Sequence, residues 1–154
     1  MIKLNINVLL FLFVFTGVVF AQKANADYIK DLKSDKEAVV IEACKGLRTA
    51  AAKEAIEPLI EVLKNNESIK ARIAAANALG VMQEKGKPTT ALKEAIEKDV
   101  SNDVIYASLL SILNLKDFEN PDAKKALEFC NENKMDDKLI KDIVDRINKA
   151  MGKS

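Results

Sequence analysis

A ten-residue pattern occurs four times along this chain and restricts its fold more than any other feature of the sequence. The four blocks begin at Val39, Ala71, Ile105 and Leu139, which places them 32, 34 and 34 residues apart. In every block the first, fifth, sixth and ninth residues are apolar, and this spacing gathers them on one face of an α-helix. Repetition with a period of roughly 30 to 40 residues is typical of stacked helical hairpins. The pattern therefore predicts helices that lie in layers and cover one another's apolar stripes.

A second recurring element precedes each block and completes a hairpin. It is a short amphipathic segment, separated from the block by polar residues that favour turns and helix N-caps. Prolines at positions 58, 88 and 121 lie near predicted helix starts, where the missing N–H costs no hydrogen bond. No linker divides these elements, so residues 27–152 are predicted to form a single domain. The predicted helices are 27–33, 37–50, 54–64, 68–83, 89–98, 103–115, 121–132 and 136–150.

The first 21 residues have the organisation of a secretory signal peptide. Lys3 provides a positive charge, and an apolar run of 13 residues follows at positions 8–20. Small side chains fit a cleavage site after Ala21 or, alternatively, after Ala26. The mature protein is therefore expected to be exported, to a periplasm or outside the cell. An uncleaved membrane anchor is the other interpretation, although a span needs about 20 mostly apolar residues.

The two cysteines, Cys44 and Cys130, must be weighed as a disulfide because exported proteins can form one. About four predicted helices separate them in the sequence. At roughly 8–10 Å per layer of packed helices, their Cα atoms should be farther apart than the ~7 Å that a disulfide spans. We therefore predict that both are small buried apolar side chains.

The composition argues against catalysis and against nucleic-acid binding. Histidine is absent, which removes most general-base chemistry at neutral pH and most zinc sites. The 24 Lys and Arg residues nearly balance the 23 Asp and Glu residues, whereas nucleic-acid binding needs a basic surplus on one face. The sequence also contains no Gly-rich phosphate loop, nucleophile elbow or paired-cysteine motif. We therefore expect no catalytic residue, no metal and no cofactor.

The central part of the chain, residues 55–80 (AIEPLIEVLKNNESIKARIAAANALG), resembles a HEAT-like repeat of the subtype first recognised in phycobilisome lyases. That subtype has the motif Ala-Ile-x-x-Leu-x-x-x-Leu, a polar turn, and then Val-Arg-x-x-Ala-Ala-x-Ala-Leu-Gly. The resemblance covers about 27–150 and weakens toward the C-terminus. It implies an all-α, right-handed α-solenoid of about three to four antiparallel helical hairpins, preceded by a signal-peptide helix. The matching residues are Ala55, Ile56, Leu59, Leu63, Arg72, Ala75, Ala76, Ala78, Leu79 and Gly80, with Ala71 in the place of Val.

The resemblance also implies a surface that binds partners. In such arrays the second helices line a concave side, and their outward residues meet other proteins. Their charges here alternate in sign and form no large apolar patch, so the predicted interface is modest and polar. Ordinary solubilising charge is the alternative interpretation of the same residues. By this analogy the candidate residues are Glu57, Glu61 and Lys64 on one helix and Lys93, Glu94 and Glu97 on the next.

These observations favour an exported HEAT-like scaffold that mediates protein–protein interaction and has no catalysis of its own. One alternative is an accessory or lyase-like protein that holds a small-molecule substrate in the concave groove. Another is an envelope protein tethered to a membrane by an uncleaved N-terminal helix. Contact with a membrane is expected only in this last case, and contact with nucleic acid in none of them.

Overall fold

Eight α-helices follow one another in the computed structural model, which describes residues 23–152. A 3₁₀ turn at Lys53–Ala55 leads into the third helix, and residues 23–152 contain no β-strand. All eight predicted helices are present, whereas the predicted signal peptide, with its cleavage site after Ala21, lies outside the described residues. The helices are α1 (Asn25–Asp31), α2 (Glu37–Ala50), α3 (Ile56–Asn65), α4 (Ile69–Leu79), α5 (Lys87–Lys98), α6 (Asn102–Leu115), α7 (Pro121–Asn133) and α8 (Lys138–Ala150).

The helices form four hairpins that are stacked in a row. The paired helices are α1 with α2, α3 with α4, α5 with α6 and α7 with α8. In one layer, α2, α4, α6 and α8 contact each other in that order, and in the other layer α3 contacts α5 and α5 contacts α7. Each hairpin thus packs on the next one along, which is the arrangement of an α-solenoid. The predicted all-α solenoid architecture is confirmed, with four hairpins, and its right-handed sense stays a prediction.

Helix α4 lies at the centre of the array and is apolar on nearly all sides. It contacts α2, α3 and α6, which explains why Ala71, Ala75 and Leu79 are all completely buried. Small residues allow the neighbouring backbones to approach closely: a Cβ atom at Gly80 would lie 2.8 Å from the Cα of Ser111 on α6. A helix of this composition needs cover on several sides, and the stacked hairpins supply it.

The apolar stripe of the last helix differs from the prediction at one of its four positions. The ten-residue pattern placed Leu139 in the core, but this side chain is 63% exposed, whereas Ile140 is completely buried. The other buried residues of α8 explain this, because Ile140 lies three, four and seven residues before them and therefore shares their face of the helix. Helix α2 shows the same one-residue difference, because Val40 rather than Val39 is buried.

Helix α4 ends four residues earlier than predicted. It ends at Leu79 rather than at position 83, and Gly80 is its C-cap. The chain then turns so that Met82 is completely buried, and Gln83 adopts a left-handed backbone conformation with a φ angle of 51°. Burial of Met82 therefore replaces a further turn of helix. At the other end of the chain, α1 begins at Asn25, two residues earlier than predicted, and it includes Ala26.

Both cysteines are buried and free, as the sequence predicted. Cys44 lies in α2 and Cys130 in α7, and neither side chain is exposed to solvent. Burial raises the pKa of the Cys44 thiol to about 12 and that of Cys130 to about 11. They act as apolar packing groups at opposite ends of one continuous core that extends from Leu32 to Ile147.

Candidate interaction surfaces

The six residues that the sequence proposed as a partner surface lie on two adjacent helices. The structure places Glu57, Glu61 and Lys64 on α3, all of them exposed. The analogy assigned the partner surface to second helices, but α3 and α5 are the first helices of their hairpins. Helix α3 contacts α5, so the six residues share one side of the array. The other three, Lys93, Glu94 and Glu97, lie on α5 and are half-buried.

The charges of this surface are paired within the chain. Lys64 Nζ lies 2.9 Å from Glu94 Oε2, and Glu57 pairs with Lys87 at the start of α5. The hydrogen bond from Lys64 lowers the pKa of the Glu94 carboxyl. Within α5, Lys93 Nζ lies 2.7 Å from Glu97 Oε2, one helical turn away. The remaining member, Glu61, accepts a hydrogen bond of 2.8 Å from Asn65. Most charges of this surface are therefore already paired with neighbours of opposite sign, and Glu61 accepts a hydrogen bond from a neutral amide.

The opposite layer carries an open groove of about 330 Å³ between α4, α6 and α8. Its apolar lining includes Ile73, Tyr106, Leu110 and the exposed side chain of Leu139. Ile73 and Tyr106 each lie five residues after the N-cap of their helix, and Ile41 holds the same place in α2. All three are half-buried against the core. A row of apolar side chains thus runs across the outer side of this layer.

The polar groups at one end of the groove differ in their hydrogen-bond and ion-pair partners. Asp137 accepts a hydrogen bond of 2.9 Å from the side chain of Asn102, in addition to its backbone contacts in α8. The backbone N–H of Ile140 is the main reason that the pKa of Asp137 is lowered. Lys134 Nζ lies 3.4 Å from Asn102 Oδ1. By contrast, Asp103 is exposed and forms no ion pair with any residue in the described range.

The sequence interpretation missed this groove because it assigned two of its residues to the core. Leu110 and Leu139 are the sixth and first residues of their blocks, and both were predicted to be buried. The structure shows Leu110 half-buried and Leu139 exposed. A sequence signal did exist: α6 is so rich in apolar residues that one stripe cannot contain them all.

The turns within hairpins form one edge of the array, where Arg72 joins two hairpins. Its guanidinium contacts both carboxylate oxygens of Asp99, at 2.7 and 3.0 Å. It also donates to the backbone carbonyls of Asn66 and Glu67, at 2.9 and 3.1 Å. A cavity of about 400 Å³ lies beside this pair. Because every donor nitrogen of Arg72 is engaged, this edge is a structural joint between hairpins.

Two kinds of reactive group, metal clusters and thiols, can be examined in the described residues. Within this range, no group of three or more Cys, Asp or Glu residues is placed to hold a metal ion. The raised pKa values of Cys44 and Cys130 keep both thiols protonated at neutral pH, so they are poor nucleophiles. None of the helices in residues 23–152 combines the length and the hydropathy that crossing a bilayer requires.

The fold and its surfaces define a helical-repeat protein. The family model described as HEAT repeats matches residues 26–113, and the chain belongs to this family. A comparison with curated proteins gives no match. HEAT repeats commonly serve as scaffolds for protein–protein interaction. The match ends within α6, yet hairpin α7–α8 continues the stack through contacts of α7 with α5 and of α8 with α6. The resemblance to the lyase-type subtype stays a prediction.

Proposed function

We propose that this protein is an exported scaffold that binds another protein and has no catalytic activity of its own. The observation that carries the proposal is the apolar groove between α4, α6 and α8, which residues 23–152 leave uncovered. Membership of the HEAT repeat family supports a binding role. Export is supported by the signal-peptide features of residues 1–21.

The groove is the preferred binding surface because its side chains gain most from being covered. Ile73, Tyr106, Leu110 and Leu139 are incompletely buried and belong to three neighbouring helices of one layer. A concave groove with a mostly apolar lining and a few polar groups is the usual form of a binding site. Burial of apolar area contributes about 25 cal/mol per Å².

The α3/α5 surface is the second proposed binding surface, with Glu57, Glu61 and Lys64 on α3. A partner that docks there would have to desolvate pairs such as Lys64–Glu94, which are already formed within the chain. Such desolvation offsets much of the gain from new polar contacts. The two surfaces lie on different helices, so an experiment can separate them.

Site-specific photo-crosslinking tests the binding proposal. A photoreactive phenylalanine analogue replaces Tyr106 in the groove or, as the matched control, Glu61 on α3. We expect a discrete crosslinked protein in the envelope fraction of the native host from position 106 and not from position 61. Crosslinks from position 61 alone would instead identify the α3/α5 surface as the binding surface, and the absence of crosslinks from both would contradict the scaffold proposal.

The mass of the native protein tests export independently of binding. A chain that begins at residue 22 or 27 has lost its signal peptide by cleavage after Ala21 or Ala26. We expect one of these two masses in the periplasmic or extracellular fraction. An intact N-terminus in a membrane fraction would favour the tethered alternative. A small molecule that co-purifies with the native protein would favour the ligand-holding alternative.

A further inference from the structure

The groove between α4, α6 and α8 combines three features that together select one kind of side chain. It has an aliphatic lining from Ile73, Leu110 and Leu139, an aromatic ring from Tyr106, and a carboxylate from Asp103. Each of these features by itself is common on protein surfaces. Their combination in one groove restricts the chemistry of an occupant, because the lining is apolar and the carboxylate is charged.

We propose that this groove takes an arginine side chain, with an apolar residue beside it, from the polypeptide that the scaffold binds. The inference rests on the proposed protein-binding function and specifies the partner. The three methylene groups of arginine fit against aliphatic side chains such as Leu110 and Leu139. The planar guanidinium stacks favourably on an aromatic face, which Tyr106 supplies.

The charges at the groove favour a cation over an anion. Asp103 has no ion-pair partner within residues 23–152, so its carboxylate is available to a guanidinium in a two-point contact. Asp137 adds a second negative charge at the same groove, although its oxygens already accept hydrogen bonds from Asn102 and from the start of α8. Lys134 also lies at this end: its Nζ is 3.4 Å from Asn102 Oδ1, and its positive charge contributes to the lowered pKa of Asp137, so Asp103 is the carboxylate that lacks a cation. An acidic partner residue beside Asp103 would be repelled.

The chain itself contains an example of the proposed contact. At the edge of the array, Arg72 holds Asp99 by two nitrogen–oxygen contacts of 2.7 and 3.0 Å. Asp103 lies four residues farther along the chain, in the first turn of α6, and lacks such an arginine. A partner's arginine would form with Asp103 the same two-point contact that Arg72 forms with Asp99.

Peptide titrations followed by NMR of the ¹⁵N-labelled protein test the inference. The probes are acetyl-Ala-Leu-Arg-Leu-Ala-amide and two relatives in which the central residue is citrulline or glutamate. Citrulline has the shape of arginine without its charge. We expect the arginine peptide to shift the amide signals of Asp103, Tyr106 and Leu139 at millimolar concentration. The citrulline peptide should bind about fivefold more weakly or worse, and the glutamate peptide more weakly still.

Two matched variants assign the effect to the groove. Asp103→Asn removes its charge, and Glu128→Gln removes one charge from an exposed residue of α7 in the other layer. We expect Asp103→Asn to abolish the preference for arginine over citrulline and Glu128→Gln to retain it, with both variants folded by circular dichroism. Equal binding of the arginine and citrulline peptides, no binding of either, or an unchanged preference in Asp103→Asn would overturn the inference. Crosslinking from position 106 would still stand in those cases, so the two proposals fail separately.

Discussion

At the residue scale, the buried carboxylate of Asp117 connects two neighbouring loops by hydrogen bonds. Its Oδ2 atom accepts hydrogen bonds from the backbone N–H of Gly86 at 2.9 Å, from Thr89 at 2.8 Å and from Asn120 at 3.0 Å. Burial by itself raises the pKa of Asp117, but the hydrogen bonds from Gly86, Asn120 and Thr89 outweigh it, so the pKa is lowered. This carboxylate therefore links the loop after α4 to the loop after α6.

The lowered pKa predicts that Asp117 contributes stability that is lost in acid. Because its pKa is lower in the folded protein than in the unfolded chain, the contribution is present above the unfolded-state value and disappears as the pH falls through the folded-state value. We expect Asp117→Asn to reduce the free energy of unfolding by about 1–3 kcal/mol at neutral pH. The difference between variant and parent should shrink at about pH 3. Urea unfolding at both pH values measures it, and a difference that grows in acid would contradict the assignment.

Two serines on α6 should respond oppositely to loss of their hydroxyl groups. The hydroxyl of Ser108 is buried and has no hydrogen-bond partner in the described part of the chain. Ser108→Ala should therefore raise the free energy of unfolding by about 1 kcal/mol, since it removes an unsatisfied polar group. Ser111 donates a hydrogen bond of 2.8 Å to the carbonyl of Ala76, so Ser111→Ala should lower it by about 1 kcal/mol. Urea midpoints compare the pair, and changes of equal sign would refute this explanation.

The repeat pattern did not always identify which of two neighbouring apolar residues faces the core. Leu139 and Ile140 are adjacent and both apolar, so a shift of one position leaves the pattern almost unchanged. What decides between them is the helical spacing of the rest of the stripe, which puts Ile140 and not Leu139 on the buried face. The ion pair between Arg72 and Asp99 could not be predicted from the repeat pattern, because it joins residues of different hairpins.

At the element scale, the faces of the helices are tested by one buried and one exposed substitution. Leu79 is completely buried in α4, so Leu79→Asp places a charge in the core, which costs about 3 kcal/mol or more. Glu61 is exposed on α3, where its side chain accepts a hydrogen bond from Asn65 of the same helix. Glu61→Lys should therefore change the free energy of unfolding by no more than about 0.5 kcal/mol. Circular dichroism during heating should show unfolding of the first variant only, and similar damage from both would mean that the helix faces are wrongly assigned.

Helix positions were predictable from periodicity, whereas helix ends depended on contacts between hairpins. The predicted bounds of α2, 37–50, agree with the structure because a long amphipathic stripe defines them. The predicted end of α4 at position 83 was wrong, because Met82 turns into the core instead of continuing the helix. A buried side chain in a loop depends on what packs over it, and local sequence does not contain that information.

At the scale of the whole molecule, the two cysteines report on the opposite ends of the stack. In a row of hairpins each unit contacts only its neighbours, so the ends can open without the centre. We expect both thiols to react with an exposed-thiol reagent far more slowly than free cysteine, because Cys44 and Cys130 are buried and protonated.

Single-cysteine variants, Cys44→Ala and Cys130→Ala, allow the two rates to be measured separately in increasing urea. Independent opening of the ends predicts two different rates below the unfolding midpoint, which merge above it. Identical rates at every urea concentration would show that the stack opens as one cooperative unit instead.

The outward side of α8 disfavours the stacking of a second copy of the protein on this helix. Helix α8 contacts α6 and α7 within the stack, and its exposed residues include charges of both signs, Lys141, Asp142, Asp145 and Arg146. A second copy that tried to continue the row would have to strip water from these charges without receiving an apolar stripe in exchange. Head-to-tail stacking of copies is thereby disfavoured on this face of α8.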